Sequence, residues 1–208
     1  MSAKEITRLL LWIFVYAICG YFFLLFAGPY FGKGSVEERK TTEIGWLYVH
    51  LSFGFFALFL APLQFIPAIR KRYPRFHRTT GKIYVTGATL ASLMAFYLLS
   101  KYPLPASIPS LALLAFIWLF TTIIAYLFAR RKNFLLHRQF MIRSYMCALA
   151  FVYLRLFDMT DGATGLLSFI KNAEARSTVI DWSWIFPLMI TEFFLNWYPA
   201  LKKLNPNK

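Results

Sequence analysis

Acidic residues are scarce in this chain. Nine Asp and Glu stand against 23 Lys and Arg in 208 residues, a formal charge of +14. Charge of either sign is thin, at 15% of residues, while 59% are hydrophobic and 23 are Phe, a balance that excludes an ordinary water-soluble domain. Only two cysteines occur, Cys19 and Cys147, each within an apolar segment, so there is no disulfide framework and no thiolate pair at metal-ligand spacing. The three histidines form no H-E-x-x-H string. G-x-S-x-G, C-x-x-C, G-x-G-x-x-G and the P-loop are missing as well, so the common zinc, serine, redox and nucleotide chemistries have no motif to rest on. Whether the protein is an enzyme stays open at this level.

What the chain has instead is long apolar runs. Six of them, near Leu9–Ala27, Ile44–Ile69, Ile83–Ser100, Ser110–Ala129, Phe134–Phe157 and Trp182–Leu201, meet the requirement of about 20 residues for a helix crossing a bilayer. The expected fold is all-α: an integral membrane bundle of six helices, with residues 1–208 forming one transmembrane domain. The first run is too long for a signal-peptide core and no A-x-A-like site follows it before Gly28-Pro29, so it is expected to remain as a span.

The net charge of +14 raises the question of nucleic acid, and its distribution answers against it. With a cytoplasmic N-terminus, 16 of the 23 Lys and Arg fall inside and seven outside, the asymmetry expected of a bacterial inner-membrane protein with both termini cytoplasmic. Juxtamembrane Lys and Arg also attract anionic lipid, at roughly 1 kcal/mol each.

The inside charges contain a repeat. Arg70-Lys71-Arg72 is followed by a four-residue spacer and His77-Arg78; sixty residues later come Arg130-Arg131-Lys132, four residues, and His137-Arg138. Each copy lies between two apolar segments of the same orientation, so spans two and three relate to spans four and five as a parallel hairpin repeat. A four-helix core of spans two to five, flanked by spans one and six, follows.

Helical phase selects further residues. His50, Gly54, Ala57, Ala61 and Gln64 share one face of span two, whose small residues suit close helix packing, and Pro62 and Pro67 are expected to bend its inner half. Gly87, Ala91 and Ala95 form a similar stripe on span three. In span five, Arg155 stands five turns after His137, with Ser144 and Ala148 between them. Glu192, with Asn196 one turn on, lies near mid-bilayer in span six, where an unpaired carboxylate is costly.

Two polar layers result: an intramembrane cluster of His50, Arg155 and Glu192, and an inner layer of His77 and His137 with Arg78, Arg138 and Arg143. The inner layer reads either as interfacial anchors for lipid phosphate or as a cofactor site. Two histidines across a pseudo-two-fold axis can ligate a b-type haem, with the arginines neutralising its propionates. Against haem, His77 is placed before its span. The outer layer reads either as a structural ion pair or as a proton-linked gate. No metal site is expected, because each layer supplies too few ligands for zinc. Trp46, Trp182 and Trp184 read as aromatic-belt anchors, and Tyr84 and Tyr145 likewise at the inner ends.

His50 with Ala61-Pro62-Leu63-Gln64-Phe65, His77-Arg78-x-x-Gly81-x-x-Tyr84, His137-Arg138-x-x-Met141-Ile142-Arg143-Ser144-Tyr145, Leu154-Arg155-Leu156, and Trp184 with Glu192 resemble the predicted bacterial membrane proteins grouped as domain of unknown function 2306. The resemblance covers roughly His50 to Glu192, and it departs from the family pattern at Ala61 (glycine expected) and Pro187 (asparagine expected). It implies a multi-pass membrane protein with a shared polar site and names no substrate. The expected function is a binding or redox-accessory protein whose internal site holds haem between His77 and His137. The alternatives are a transporter or lipid- or anion-binding protein with a proton-linked His/Glu/Arg site, and a non-catalytic subunit of a membrane complex.

Overall fold

The computed structural model describes residues 3–28, 41–101, 105–165 and 173–204, and every regular element among them is helical. The chain divides into two compact units, Met1–Met94 and Ala95–Lys208.

The first unit holds α1 (Ala3–Phe22, extended by a π-helical turn Phe23–Ala27), α2 (Thr41–Phe65), the short α3 (Pro67–Arg72) and α4 (Pro74–Leu99), whose last turns pass into the second unit. The second holds a 3₁₀ turn (Pro105–Ser107), α5 (Ile108–Arg130), α6 (Phe134–Ala148), α7 (Ala150–Thr164), α8 (Ala173–Glu192, extended by a π-helical turn Phe193–Trp197) and α9 (Tyr198–Leu204). Among the described residues five stretches are long and apolar enough to span a bilayer: Leu10–Ala27, Gly45–Phe65, Pro74–Leu99, Ile108–Arg130 and Ser177–Leu204. A sixth arises if α6 and α7, bent by 42° at their junction, cross as one broken span. This is an all-α integral membrane protein.

Backbone chemistry explains where the helices depart from the apolar runs. Span two stops at Phe65 instead of reaching Ile69. Ile66 precedes Pro67 and is extended (φ −81°, ψ 111°), the conformation a following proline enforces, and Pro67 then opens α3. Pro62, in contrast, is accommodated within α2. Span three starts earlier than Ile83, at Pro74, so His77 lies in the first turn of α4 and not ahead of it. The break in span five falls at Leu149, whose ψ of −7° opens the helix without any proline or glycine between Tyr145 and Tyr153. Through that break the phase linking His137 to Arg155 along one straight helix is lost. The connection Asp158–Asp181 is helical at both ends, because α7 runs to Thr164 and α8 begins at Ala173; its apolar patch Leu166–Ile170 lies outside the described residues.

The two hairpins share a local plan. The backbone N–H of His77 donates to the Tyr73 carbonyl, and that of His137 to the Asn133 carbonyl, both at 3.0 Å. Each His-Arg pair therefore occupies the same turn of its helix. In the second hairpin the reversal is tight. Lys132 adopts φ 59°, and Asn133 N–H reaches back to Phe128 O (2.9 Å) and Lys132 N–H to Ala129 O (3.0 Å), a Schellman closure. Asn133 then caps α6 through Leu136 N–H at 3.2 Å.

Small residues set the spacing of α2 and α4. A Cβ on Gly87 would meet the Phe53 carbonyl at 3.0 Å and the Phe56 Cβ at 3.4 Å, whereas one on Gly54 would meet nothing within 4 Å. Ala57, Ala61, Ala88 and Ala91 are fully buried around that contact. Gly87→Leu is accordingly expected to destabilise the protein by about 1–3 kcal/mol in detergent unfolding, the cost of overpacking a tight contact. Gly54→Ala should leave the unfolding midpoint unchanged or raise it; equal losses at both positions would remove the close approach at Gly87 as the reason.

Candidate functional site

In lipid, a polar side chain needs a partner from the protein, because no water competes for it. Within the first unit α2 supplies two. The His50 ring donates from Nδ1 to the Ala91 carbonyl on α4 at 2.9 Å, which fixes the tautomer and leaves Nε2 as the acceptor. Two turns inward of Ala57, Gln64 Nε2 donates to Thr80 Oγ1 at 2.7 Å, and its Oε1 lies against Gly81. Tyr16 ties α1 to the same helix by donating to the Phe59 carbonyl at 2.9 Å.

The second unit repeats the device and adds charge. His137 Nδ1 donates to the Ala125 carbonyl of α5 at 2.9 Å. Thr122 and Ser144, both fully buried, share a hydrogen bond of 2.6 Å. Gln64–Thr80 and Thr122–Ser144 straddle their loops at midpoints near residues 72 and 133, close to the sixty-residue period of the sequence repeat.

One residue beyond His137's next turn and a half comes the strongest polar feature of the unit. Arg143 donates from Nε to Glu192 Oε1 and from Nη2 to Glu192 Oε2 at 2.9 Å, a two-pronged fork on the carboxylate. Asn196, in the π-helical turn that follows Glu192, donates to Oε2 at 2.5 Å. The guanidinium also sits 5.0 Å from the Phe140 ring centroid. The Arg143 side chain is 13% exposed and that of Glu192 31%, so the pair is mostly desolvated with one open side at the carboxylate.

This regroups the residues selected by depth. Glu192 is held by Arg143, which lies six residues and about 9 Å further along its helix than His137 and so reaches past the inner layer. Arg155 lies beyond the bend and donates instead to Asp158 Oδ2 at 3.2 Å, one turn along α7. His50 and His77 belong to the first unit, and His137, Arg138, Arg143, Arg155 and Glu192 to the second. Arg78 and Arg138 are exposed, as are the other basic residues of the two loops from Arg70 to Arg75 and Arg130 to Lys132. Among the described residues no three His, Cys, Asp or Glu side chains converge on one point.

The aromatic assignments also change. Trp46 and Trp182 are exposed, as belt residues are, but Trp184 is 4% exposed and donates Nε1 to Ser110 Oγ at 3.0 Å, joining α8 to α5. Tyr84 and Tyr145 are core residues at 0% and 3% exposure. Helical spacing set Asn196 one turn from Glu192, where it binds, but did not point to Thr122 or Ser110 as partners. The signal was present, since Thr121 and Thr122 are hydroxyls amid a run of bulky apolar residues.

The fold and the intramembrane ion pair define a polytopic helical membrane protein with a polar site inside its C-terminal unit. The chain belongs to the family described as predicted membrane protein (DUF2306), whose sequence model matches residues 47–195 and so includes His50, His137, Arg143 and Glu192 but stops one residue short of Asn196. No curated protein and no solved structure matches it.

Breaking a mostly buried ion pair from one side strands the remaining charge. Arg143→Leu or Glu192→Leu alone is expected to cost about 2–4 kcal/mol, somewhat under the value for a fully buried pair because Glu192 keeps an open side. The double Leu variant should recover at least half of the summed loss in a double-mutant cycle read by unfolding in detergent. Strictly additive losses would show that the two side chains are not coupled.

Proposed function

We propose that the protein binds an anion inside the membrane in a proton-linked manner, as a transporter or receptor would, with Arg143 as the receptor and Glu192 as its built-in competitor. The observation that carries this reading is the fork: Arg143 offers Nε and Nη2 to a carboxylate in the geometry that also fits a ligand's carboxylate or phosphate. Protonating Glu192 removes its charge and one acceptor oxygen, which frees the guanidinium for an incoming anion. Releasing the proton restores the internal pair and expels the ligand. Ionisable residues inside a span are functional candidates by default, since their insertion is otherwise costly. The exposed loops from Arg70 to Arg75 and Arg130 to Lys132 would raise the local concentration of anions and of anionic lipid headgroups. In this reading those loops face the cytoplasm, with both termini on that side of a bacterial inner membrane.

The test uses inorganic phosphate and dodecyl phosphate as probes of the free and lipid-borne sources of one chemistry. Binding to the detergent-purified protein should strengthen as pH falls, by at most about tenfold per pH unit for one coupled proton. Glu192→Gln should bind tightly with little pH dependence, and Arg143→Gln should lose binding. Undiminished binding by Arg143→Gln would sink the reading.

A b-type haem is the second reading, and one observation favours it. The Nδ1 bond from His137 to the Ala125 carbonyl is the support that orients a ligating imidazole and presents Nε2 to a metal. Within the second unit Arg138 would serve a propionate, while Arg143 is already engaged by Glu192 and leaves that set. Bound haem would supply one-electron chemistry. On this reading the protein purified from haem-replete cells shows a Soret band that shifts with dithionite and disappears in His137→Ala. A colourless preparation removes the haem and leaves the anion site as the working function. The third possibility, a non-catalytic subunit of a membrane complex, draws on the exposed apolar faces of α1 and α8, which lipid covers equally well.

A further inference from the structure

Polar groups continue along α5 and α8 well away from the ion pair. On α5 and the turn before it, Ser107, Ser110, Trp118 and Thr122 fall within about 60° of one direction, and on α8 Ser177, Asp181, Trp184, Thr191 and Glu192 do the same. Two hydrogen bonds show that these stripes face each other. Ser177 Oγ donates to the Ala106 carbonyl at 3.1 Å, and Trp184 Nε1 donates to Ser110 Oγ at 3.0 Å. Asp181 stands four residues after Ser177 and three before Trp184, and Ser107 lies between Ala106 and Ser110. Both are thus bracketed by the two contacts.

Three atoms on these stripes are buried and have no hydrogen-bond partner among the described residues: Asp181 Oδ1, Ser107 Oγ and Trp118 Nε1. Ser107 is 0% exposed and Trp118 8%. A buried polar atom left without a partner costs about 1–3 kcal/mol, so a single case reads as local frustration, whereas three in a row along one seam call for a shared partner. Water is the partner that suits an acceptor carboxylate, a hydroxyl and an indole N–H alike, since each molecule both donates and accepts. Further along, Thr191 donates to the Pro187 carbonyl at 2.8 Å, so its oxygen can still accept, whereas Thr122 donates to the Trp118 carbonyl at 2.7 Å and already accepts from Ser144. Among the described side chains of α7, which packs against this half of α8, the charged ones are Arg155 and Asp158, which bind each other at 3.2 Å; Arg143 is the charge facing Glu192.

We infer that the C-terminal unit carries a hydrated proton line between Asp181 and Glu192, which lie on one face of α8 eleven residues and about 16 Å apart. A proton held on the Asp181 carboxyl passes to the adjoining water, each water hands on one of its own protons, and the Glu192 carboxylate accepts the last, then gives it up to the opposite side as its pair with Arg143 re-forms. Only O–H bonds form and break, and no electrons move. Arrival of the proton at Glu192 loosens its hold on Arg143. The inference deepens the proton-linked anion site and rests on that reading of the Arg143–Glu192 pair: it supplies the route by which the competitor is protonated, and it makes the proton the coupled ion.

Full-length protein in liposomes with an enclosed pH dye, under a potassium diffusion potential set by valinomycin, tests the line directly. The wild type should acidify vesicles at least tenfold faster than protein-free vesicles. Asp181→Asn should cut that flux tenfold or more, Asp181→Glu should retain most of it, and Trp118→Phe should lower it severalfold by removing the indole N–H alone. A wild-type rate no faster than protein-free vesicles, or Asp181→Asn conducting like the wild type, overturns the line whatever the fate of other variants. Phosphate binding measured on the same Asp181→Asn protein separates the two proposals. Retained binding with lost flux supports both, and intact flux with no binding in any variant overturns the anion receptor while leaving the line.

Discussion

A polar side chain inside a bilayer has no water to return to when a protein contact breaks, and that constraint organises both units. His50, Gln64, His137, Thr122 and Arg143 each reach across to a neighbouring helix, and each finds a carbonyl, hydroxyl or carboxylate there. Apolar surface alone gives little preference for one helix neighbour over another, because lipid tails are as apolar as leucine. Direct cross-helix hydrogen bonds and the close contact at Gly87 supply the register that hydrophobicity cannot. The Arg143–Glu192 fork is the most demanding of these contacts, since both partners carry charge and neither can be left alone cheaply.

On the proposed reading, that same demand makes the fork a switch and more than a clasp. A hydrophobic pair of similar volume would join α6 to α8 at lower cost, and on the proposed reading the charges bring what packing does not: sensitivity to a proton and to a competing anion. The π-helical turn beginning at Phe193 places Asn196 against the carboxylate, and π turns recur where a helix must present a side chain out of its regular phase. The open side of Glu192 gives a competing anion somewhere to approach from.

The class of fold was legible from apolar runs alone, because a bilayer imposes length and helicity together. The duplicated basic His-Arg string also carried through to structure, as the matching turns at His77 and His137 show. Helix limits were less legible where proline acts on the residue before it, as at Ile66, and the bend at Leu149 has no residue type that announces it. That bend is why Arg155 could be placed on the face of His137 by counting turns and yet pair with Asp158. The partner of Glu192 was hidden for a related reason: depth counted from the loops assigned Arg143 to the mouth, although its long side chain and its position well inside α6 bring it to mid-span. Trp184 likewise has the sequence profile of a belt residue and the contacts of a core one.

The central claim is that an anion displaces Glu192 from Arg143 as Glu192 takes up a proton. The most direct measurement is the infrared difference spectrum of the detergent-solubilised protein on adding inorganic phosphate, with Glu192→Gln as the reference that isolates the Glu192 bands. The account predicts loss of the Glu192 carboxylate bands and gain of a protonated carboxyl band that Glu192→Gln lacks. A carboxylate signature unchanged by saturating phosphate would contradict it and return the ion pair to a purely structural role.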